Sequence, residues 1–194
     1  PELSAGTTVS LHAIGNNETI LSGNLSGVIE SGSYRVTDNI YVEDDTYLLI
    51  EPGTELLFDG NYWFVINGFI IAQGTKENPI IFTQYGELSG TWMEEYIWNG
   101  IILHNQTEES ILENIQISYS YGGAITLYSS DLILNNVGIY NNYGFNGGGM
   151  IVNYSHLILN HVNIIDNYAG YGSAMWVGSS DIFINNSIIW NNPD

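Results

Sequence analysis

The chain has 194 residues, 44% hydrophobic and 12% charged, with 21 acidic residues against 2 basic ones and a formal net charge of −19. Nucleic-acid binding is excluded because it needs lysine and arginine to displace counterions from phosphates. The hydrophobic fraction excludes a disordered acidic tail, and the absence of cysteine excludes disulfides and thiol catalysis. No apolar run is long enough to predict a membrane span.

The first segment, residues 1–27, is polar and rich in Gly, Ser and Asn. Within it Val9, Leu11 and Ala13 alternate with polar residues, which predicts a strand with one apolar face. We assign 1–27 to an N-terminal extension that acts as a strap, a cap or a donated strand. Residues 28–194 form the main domain.

The main domain begins with short β-branched and aromatic runs between Tyr34 and Thr83, separated by Gly, Asn, Asp and Pro turns. This pattern is typical of short half-buried strands and shows no helical periodicity. Residues 84–98 break the rhythm, and we interpret them as an insertion that loops out of one coil.

From about residue 130 the sequence repeats every 25 residues. A period of this size with short apolar strands predicts a solenoid, because one repeat cannot bury its own apolar face. In a parallel β-helix, equivalent residues of successive coils stack about 4.8 Å apart. We therefore predict an aliphatic ladder and two Asn ladders with structural roles: Leu132, Leu157 and Ile182; Asn135, Asn160 and Asn185; Asn142, Asn167 and Asn192.

Two groups of residues resemble known β-helix coils. The segment Leu48-Leu49-Ile50-Glu51-Pro52-Gly53-Thr54 is similar to the L-x-I-x-P-G-T coil of secreted right-handed parallel β-helix proteins of the pectate-lyase-like superfamily. Gly147-Gly148-Gly149-Met150 and the segment 186–192 resemble coils of polymorphic outer-membrane proteins. The resemblance implies an all-β, single-stranded right-handed parallel β-helix. Its members include adhesins, surface proteins, lyases and glycosidases, so function must be argued from the sites.

No catalytic or metal site emerges from the residues. The two cations, Arg35 and Lys76, are far apart in sequence, which argues against a lyase that neutralises an acidic polysaccharide. Asp131 and Asp181 share a column at about 9.6 Å, nominally suited to an inverting glycosidase, but Asp at a turn more often caps backbone. The histidines show no zinc spacing. We expect no cofactor.

Aromatic residues next to Asn and Asp are candidates for contact with neutral glycans or protein partners. They are Trp92, Tyr96 and Trp98 in the insertion, and Tyr143, Tyr171 and Trp176 in the late coils. Candidate glycosylation acceptors in Asn-x-Ser/Thr patterns are Asn17, Asn24, Asn105 and Asn153. A further acceptor pattern begins at Asn185, but we expect it to stay unmodified because Asn185 belongs to a ladder.

These patterns favour an extracellular or cell-surface structural protein without catalysis. The start at Pro1 rather than Met would be explained by a removed signal peptide or a cut chain. No capping segment follows Asn192, so we expect either a fragment or head-to-tail self-association into a filament or surface layer. The alternatives are an adhesin-like module that binds neutral glycans and, third, a glycoside hydrolase.

Overall fold

The computed structural model describes residues 12–14, 18–86 and 98–193, which form 23 strands and no helix. In chain order the strands are β1 (His12–Ile14), β2 (Glu18–Asn24), β3 (Gly27–Ile29), β4 (Ser33–Val42), β5 (Tyr47–Ile50), β6 (Glu55–Phe58), β7 (Trp63–Ile66), β8 (Phe69–Gln73), β9 (Ile80–Gln84), β10 (Gly100–His104), β11 (Ser110–Glu113), β12 (Ile115–Ser118), β13 (Ile125–Tyr128), β14 (Asp131–Asn135), β15 (Gly138–Tyr140), β16 (Tyr143–Asn146), β17 (Met150–Asn153), β18 (His156–Asn160), β19 (Asn163–Ile165), β20 (Tyr168–Tyr171), β21 (Met175–Gly178), β22 (Asp181–Asn185) and β23 (Ile188–Trp190).

The strands wind into a parallel β-solenoid of about 6 turns, which confirms the predicted fold class. Three faces run along it. The first contains β7, β10, β13, β17 and β21; the second β3, β5, β8, β11, β14, β18 and β22; the third β6, β9, β12, β15, β19 and β23. The long strand β4 turns from the third face into the first, since Val36 pairs with Phe58 and Ile40 with Phe64.

The core is a set of aliphatic ladders inside the solenoid. Leu132, Leu157 and Ile182 lie in register on the second face, and the first two are fully buried. The alternation of the strands explains this placement, because every second side chain of a strand points to the same face. The neighbour of Leu157 on the same strand, Ile158, points outward and is half-buried.

The corners of the solenoid, where the chain turns from one face to the next, explain much of the Asn content. In the late coils each turn between strands places one residue in the left-handed region, as at Asn136, Asn141 and Asn186, where φ is 54°, 52° and 49°. Asn tolerates this conformation better than other residues with a side chain, apart from Asp and His. Backbone conformation is therefore sufficient to explain Asn at these corners.

The register also bears on the domain boundaries. Parallel pairing with β4 begins in β2, inside the segment that the sequence analysis assigned to the extension, and β1 pairs antiparallel with β2. Phe64 pairs with Ile101 in the next coil and Ile101 with Ile125, so the coil that holds residues 84–98 is the longer one. Most of this proposed insertion, and Val9 and Leu11 of the extension, lie outside the described residues.

Candidate functional site

The predicted aromatic contacts divide into four groups. Trp92 and Tyr96 lie outside the described residues. Trp98 is fully buried: its ring stacks on Phe58 with centroids 4.4 Å apart, and its indole Nε1 donates to the carbonyl oxygen of Ser118 at 2.9 Å. Trp98 is therefore a core residue with a satisfied polar end, and the expectation that it contacts a ligand needs correction.

The third group forms an exposed aromatic column at the corner between the third and first faces. Tyr143 stacks between Tyr121 and Tyr168, with ring centroids 5.1 and 5.5 Å apart. Beside it, Tyr171 is 64% exposed and meets Phe145 edge-on at 6.1 Å. The sequence analysis missed Tyr121 because the coil before the regular repeats is shorter, which moves Tyr121 out of the 25-residue register.

Trp176 lies on the outer side of the first face. It pairs in register with Ile151 on the preceding coil and is half-buried. Both side chains point away from the core, since the next residue of each strand, Val177 or Val152, belongs to an inward ladder. The Trp176 side chain is thus only partly accessible to solvent.

Two Asn ladders run along the solenoid axis, and the second of them also satisfies backbone groups. Asn160 Nδ2 donates to Asn135 Oδ1 at 2.9 Å, and Asn185 Nδ2 donates to Asn160 Oδ1 at 3.0 Å. In the second ladder Asn142 and Asn167 are fully buried. These amides bond to one another along the axis, so their role is structural.

The candidate glycosylation sites have different surroundings. Asn24 and Asn105 are exposed, and Asn105 lies on a turn with φ of 51°. Asn153 is half-buried on the outer side of β17, and Asn17 lies outside the described residues. Asn105 combines exposure with a turn position, where N-linked sugars are readily accommodated.

Among the described residues, charged groups do not converge on a reaction centre. Arg35 forms an ion pair with Asp59, with Nε 2.9 Å from Oδ2, and its guanidinium lies 4.3 Å from the ring centroid of Tyr85. Asp131 and Asp181 flank His156 in one outward column, one coil on either side.

No cluster of three or more potential metal ligands occurs in the part of the chain that the structure describes. Within the same part, no helix could span a membrane.

One ionisable group is perturbed by its position near the start of the solenoid. Burial raises the pKa of the Tyr34 phenol above its usual range, and the nearby carboxylates of Glu30 and Glu51 raise the pKa further. The hydroxyl donates to the carbonyl oxygen of Glu30 at 2.8 Å. This arrangement holds the phenol neutral and is a local structural contact.

The coil of β21, β22 and β23, here called the terminal coil, pairs on one side only. Its inward residues continue the core ladders: Ile184 follows Leu159, and Ile189 follows Ile164. Leu159 and Ile164 are 0% exposed, whereas Ile184 and Ile189 are 49% and 45% exposed, and Val177 is 46% exposed. The terminal coil therefore presents an apolar cross-section of the core.

Its polar groups are arranged to pair with a further coil. The backbone N–H of Ser155 donates to Oγ of Ser180 at 3.0 Å, and that of Asn167 donates to Oδ1 of Asn192 at 3.0 Å. The equivalent N–H groups of Ser180 and Asn192 have no following coil within the described residues to receive them. Unpaired strand edges of this kind are templates for association.

The opposite end of the described solenoid is closed. Leu21, Leu25 and Ile29, the inward residues of the first coil, are 0%, 1% and 2% exposed. Strand β1 lies antiparallel against β2 at this end. The two ends of the described solenoid therefore differ in how much of the core they expose.

No protein-family model matches the chain, and neither the curated proteins nor the solved structures contain a significant match. The fold and its sites therefore carry the functional argument alone.

Proposed function

We propose that this protein is a non-catalytic structural protein that self-associates through the terminal coil. The observation that carries the proposal is the way the described coils stack: each pairs in register with the next and continues inward ladders such as Val152 to Val177 and Leu159 to Ile184, so a coil surface is shaped to receive another coil. A second copy is the partner that matches this surface, because its own terminal coil offers the same strand spacing and the same apolar ladders. Burial of apolar area and pairing of the strand edges both favour association.

The difference between the two ends affects the form of assembly. Head-to-tail stacking in one direction gives an open filament, but it must seat the terminal coil against an end whose inward residues Leu21 and Leu25 are already buried. Two terminal coils can instead pair about a twofold axis, with antiparallel strands across the joint and no change in either copy. We therefore propose the twofold pair as the first assembly, and a filament where the N-terminal segment is displaced.

Charge should control this equilibrium. Each copy carries a formal net charge of −19, so long-range repulsion opposes association. Screening shortens the Debye length from about 10 Å at 0.1 M salt to about 3 Å at 1 M, so added salt should favour the assembled form.

Sedimentation velocity across a range of protein and salt concentrations tests the proposal. The decisive variant is Ile184→Lys, and the matched control is Phe183→Lys, which makes the same charge change at the adjacent, outward-facing residue of β22. We expect the wild type and Phe183→Lys to associate and Ile184→Lys to remain monomeric. A wild type that stays monomeric at high concentration and high salt overturns the proposal, as does equal behaviour of the two variants.

We further propose an extracellular or surface location, and membership in the secreted right-handed β-helix class. The support is the resemblance of 48–54 to the coils of that class and the exposure of the acceptor residues Asn24 and Asn105. Detection of the protein in the culture medium or at the surface of its native cells tests this.

The second candidate function is a module that binds neutral glycans. It is favoured by the aromatic column, in which stacked Tyr143 and Tyr168 and exposed Tyr171 offer flat apolar surface beside polar groups. Loss of glycan binding in Tyr171→Ala, with an unchanged melting temperature, is the expected result if this surface binds. Unchanged binding in that variant removes this candidate.

A further inference from the structure

A groove of about 660 Å³ runs along the corner between the second and third faces, away from the aromatic column. Its length follows the corner residues Asn114, Asn136, His161 and Asn186, one on each of four successive coils. Three steps of about 4.8 Å give a span of about 14 Å parallel to the solenoid axis. We call it the amide groove.

One end of the amide groove is a projecting loop, residues 75–79, that is held in place by hydrogen bonds. Asn114 Nδ2 donates to the carbonyl oxygen of Gly74 at 2.9 Å, and the backbone N–H of Ile80 donates to the carbonyl oxygen of Asn114 at 3.1 Å. Within the loop, the N–H of Asn78 donates to Oγ1 of Thr75 at 3.0 Å. The groove is therefore formed before any ligand arrives, which reduces the entropic cost of binding.

The groove presents amides that make no hydrogen bond among the described residues. They belong to Gln116, Asn136, Asn163 and Asn186. The contrast with the two Asn ladders is direct, because the ladder amides donate to one another and these do not. A side-chain amide offers two donors and one acceptor oxygen, the complement of neighbouring hydroxyl groups on a sugar.

The groove also contains an aromatic surface. The hydroxyl end of Tyr140 lies over Gly138, where an added Cβ would be 2.1 Å from the ring carbon Cε2. Gly138 is therefore required for the ring to lie back against the third face, where it lines the groove and remains half-buried. A ring in such a position can pack against the apolar face of a sugar.

We propose that the amide groove binds a short neutral oligosaccharide lying along the solenoid axis. The chemistry is that of hydroxyl recognition by uncharged amides, supplemented by one tyrosine. Lys76 and His161 are the titratable groups among the lining residues apart from Tyr140, and the formal net charge of −19 disfavours a polyanionic glycan. This inference does not depend on the proposed self-association.

The double variant Asn136→Gly/Asn163→Ala tests the proposed glycan site, because it removes two of the groove amides. Asn136 has φ of 54°, so glycine keeps the corner conformation while it removes the amide. Asn163 lies on the outer side of β19 and its side chain makes no hydrogen bond with the described residues. Asn105→Gly is the matched control, because Asn105 is an exposed left-handed Asn, φ 51°, outside the groove.

The probes are linear tetrasaccharides of β-1,4-glucose, β-1,4-N-acetylglucosamine, β-1,4-mannose and α-1,4-glucose, titrated against isotope-labelled protein and followed by NMR. At least one probe should bind saturably and shift the side-chain amide signals of the groove. The double variant should bind that probe about tenfold more weakly or worse, consistent with the loss of two hydrogen bonds, while Asn105→Gly binds as the wild type does.

Three results overturn the inference. The first is no saturable shift with any probe at millimolar concentration. The second is binding that the double variant leaves unchanged. The third is binding whose shifts map to Tyr143, Tyr168 and Tyr171, which would assign the glycan to the aromatic column instead.

Discussion

Asn142 and Asn167 lie one coil apart, and Nδ2 of Asn142 donates to Oδ1 of Asn167 at 2.9 Å. The same Oδ1 accepts the backbone N–H of Asn142 at 3.0 Å, and Asn167 makes the same pair of bonds to Asn192. Asn142 and Asn167 are fully buried. Since these groups are removed from water, each bond replaces hydration that the corner has lost.

We expect Asn167→Ala to lower the free energy of unfolding by about 2–4 kcal/mol, because it leaves the buried backbone N–H of Asn142 without its acceptor and removes the bonds that Asn167 Nδ2 donates to the carbonyl oxygens of Ile139 and Ile165. Chemical denaturation measures the change. The control is Asn163→Ala on the same coil, which removes an amide without a hydrogen bond to the described residues and should change the stability by about 0.5 kcal/mol or less. Equal losses in the two variants would contradict the structural role of the ladder.

The inward and outward positions of one strand should respond in opposite ways to charge. Leu157→Asp should prevent soluble folding, because Leu157 is 0% exposed and a buried unpaired carboxylate costs several kcal/mol. Ile158→Asp should fold, since that side chain lies on the outer side of β18 with access to water. Soluble yield and circular dichroism distinguish the two, and normal folding of Leu157→Asp would disprove the assigned register.

The sequence predicted the register of the late coils because their exact period aligns equivalent residues such as Leu132 and Leu157. It could not place Tyr121 or the amide groove, which depend on coils of unequal length. The loop at 75–79 closes the groove because residues 74–79 join β8 to β9, whereas Asn114 alone joins β11 to β12 on the next coil. Trp98 was misjudged because it was assigned to the insertion at 84–98, whereas the chain has already re-entered the core at this residue.

Tyr34 should titrate above the ordinary tyrosine range in the folded protein. Its phenol pKa is raised by burial and then by Glu30 and Glu51. Below the unfolded pKa of about 10 the phenol is neutral in both states and the difference has no effect on stability. As pH rises further, the unfolded phenol ionises first, so stability falls until the folded phenol also ionises. The difference in alkaline absorbance titration between wild type and Tyr34→Phe measures this, and a midpoint at or below the ordinary value would contradict it.

Glycosylation provides a test of the surface assignments that needs no knowledge of a ligand. When the chain is secreted from a eukaryotic host that attaches N-linked glycans, we expect at least one of Asn17, Asn24, Asn105 and Asn153 to be modified. Asn105 is the favoured site, because it is exposed and lies on a turn between two strands.

Asn185 is the internal control for this prediction, since it carries the same acceptor pattern and is also exposed. Its Nδ2, the atom that would carry the sugar, donates to Oδ1 of Asn160 at 3.0 Å within the ladder. We therefore expect Asn185 to stay bare while Asn105 is occupied. Peptide mass spectrometry with and without enzymatic deglycosylation measures both sites. Occupancy at Asn185 with bare Asn24, Asn105 and Asn153 would show that ladder bonding does not protect this amide.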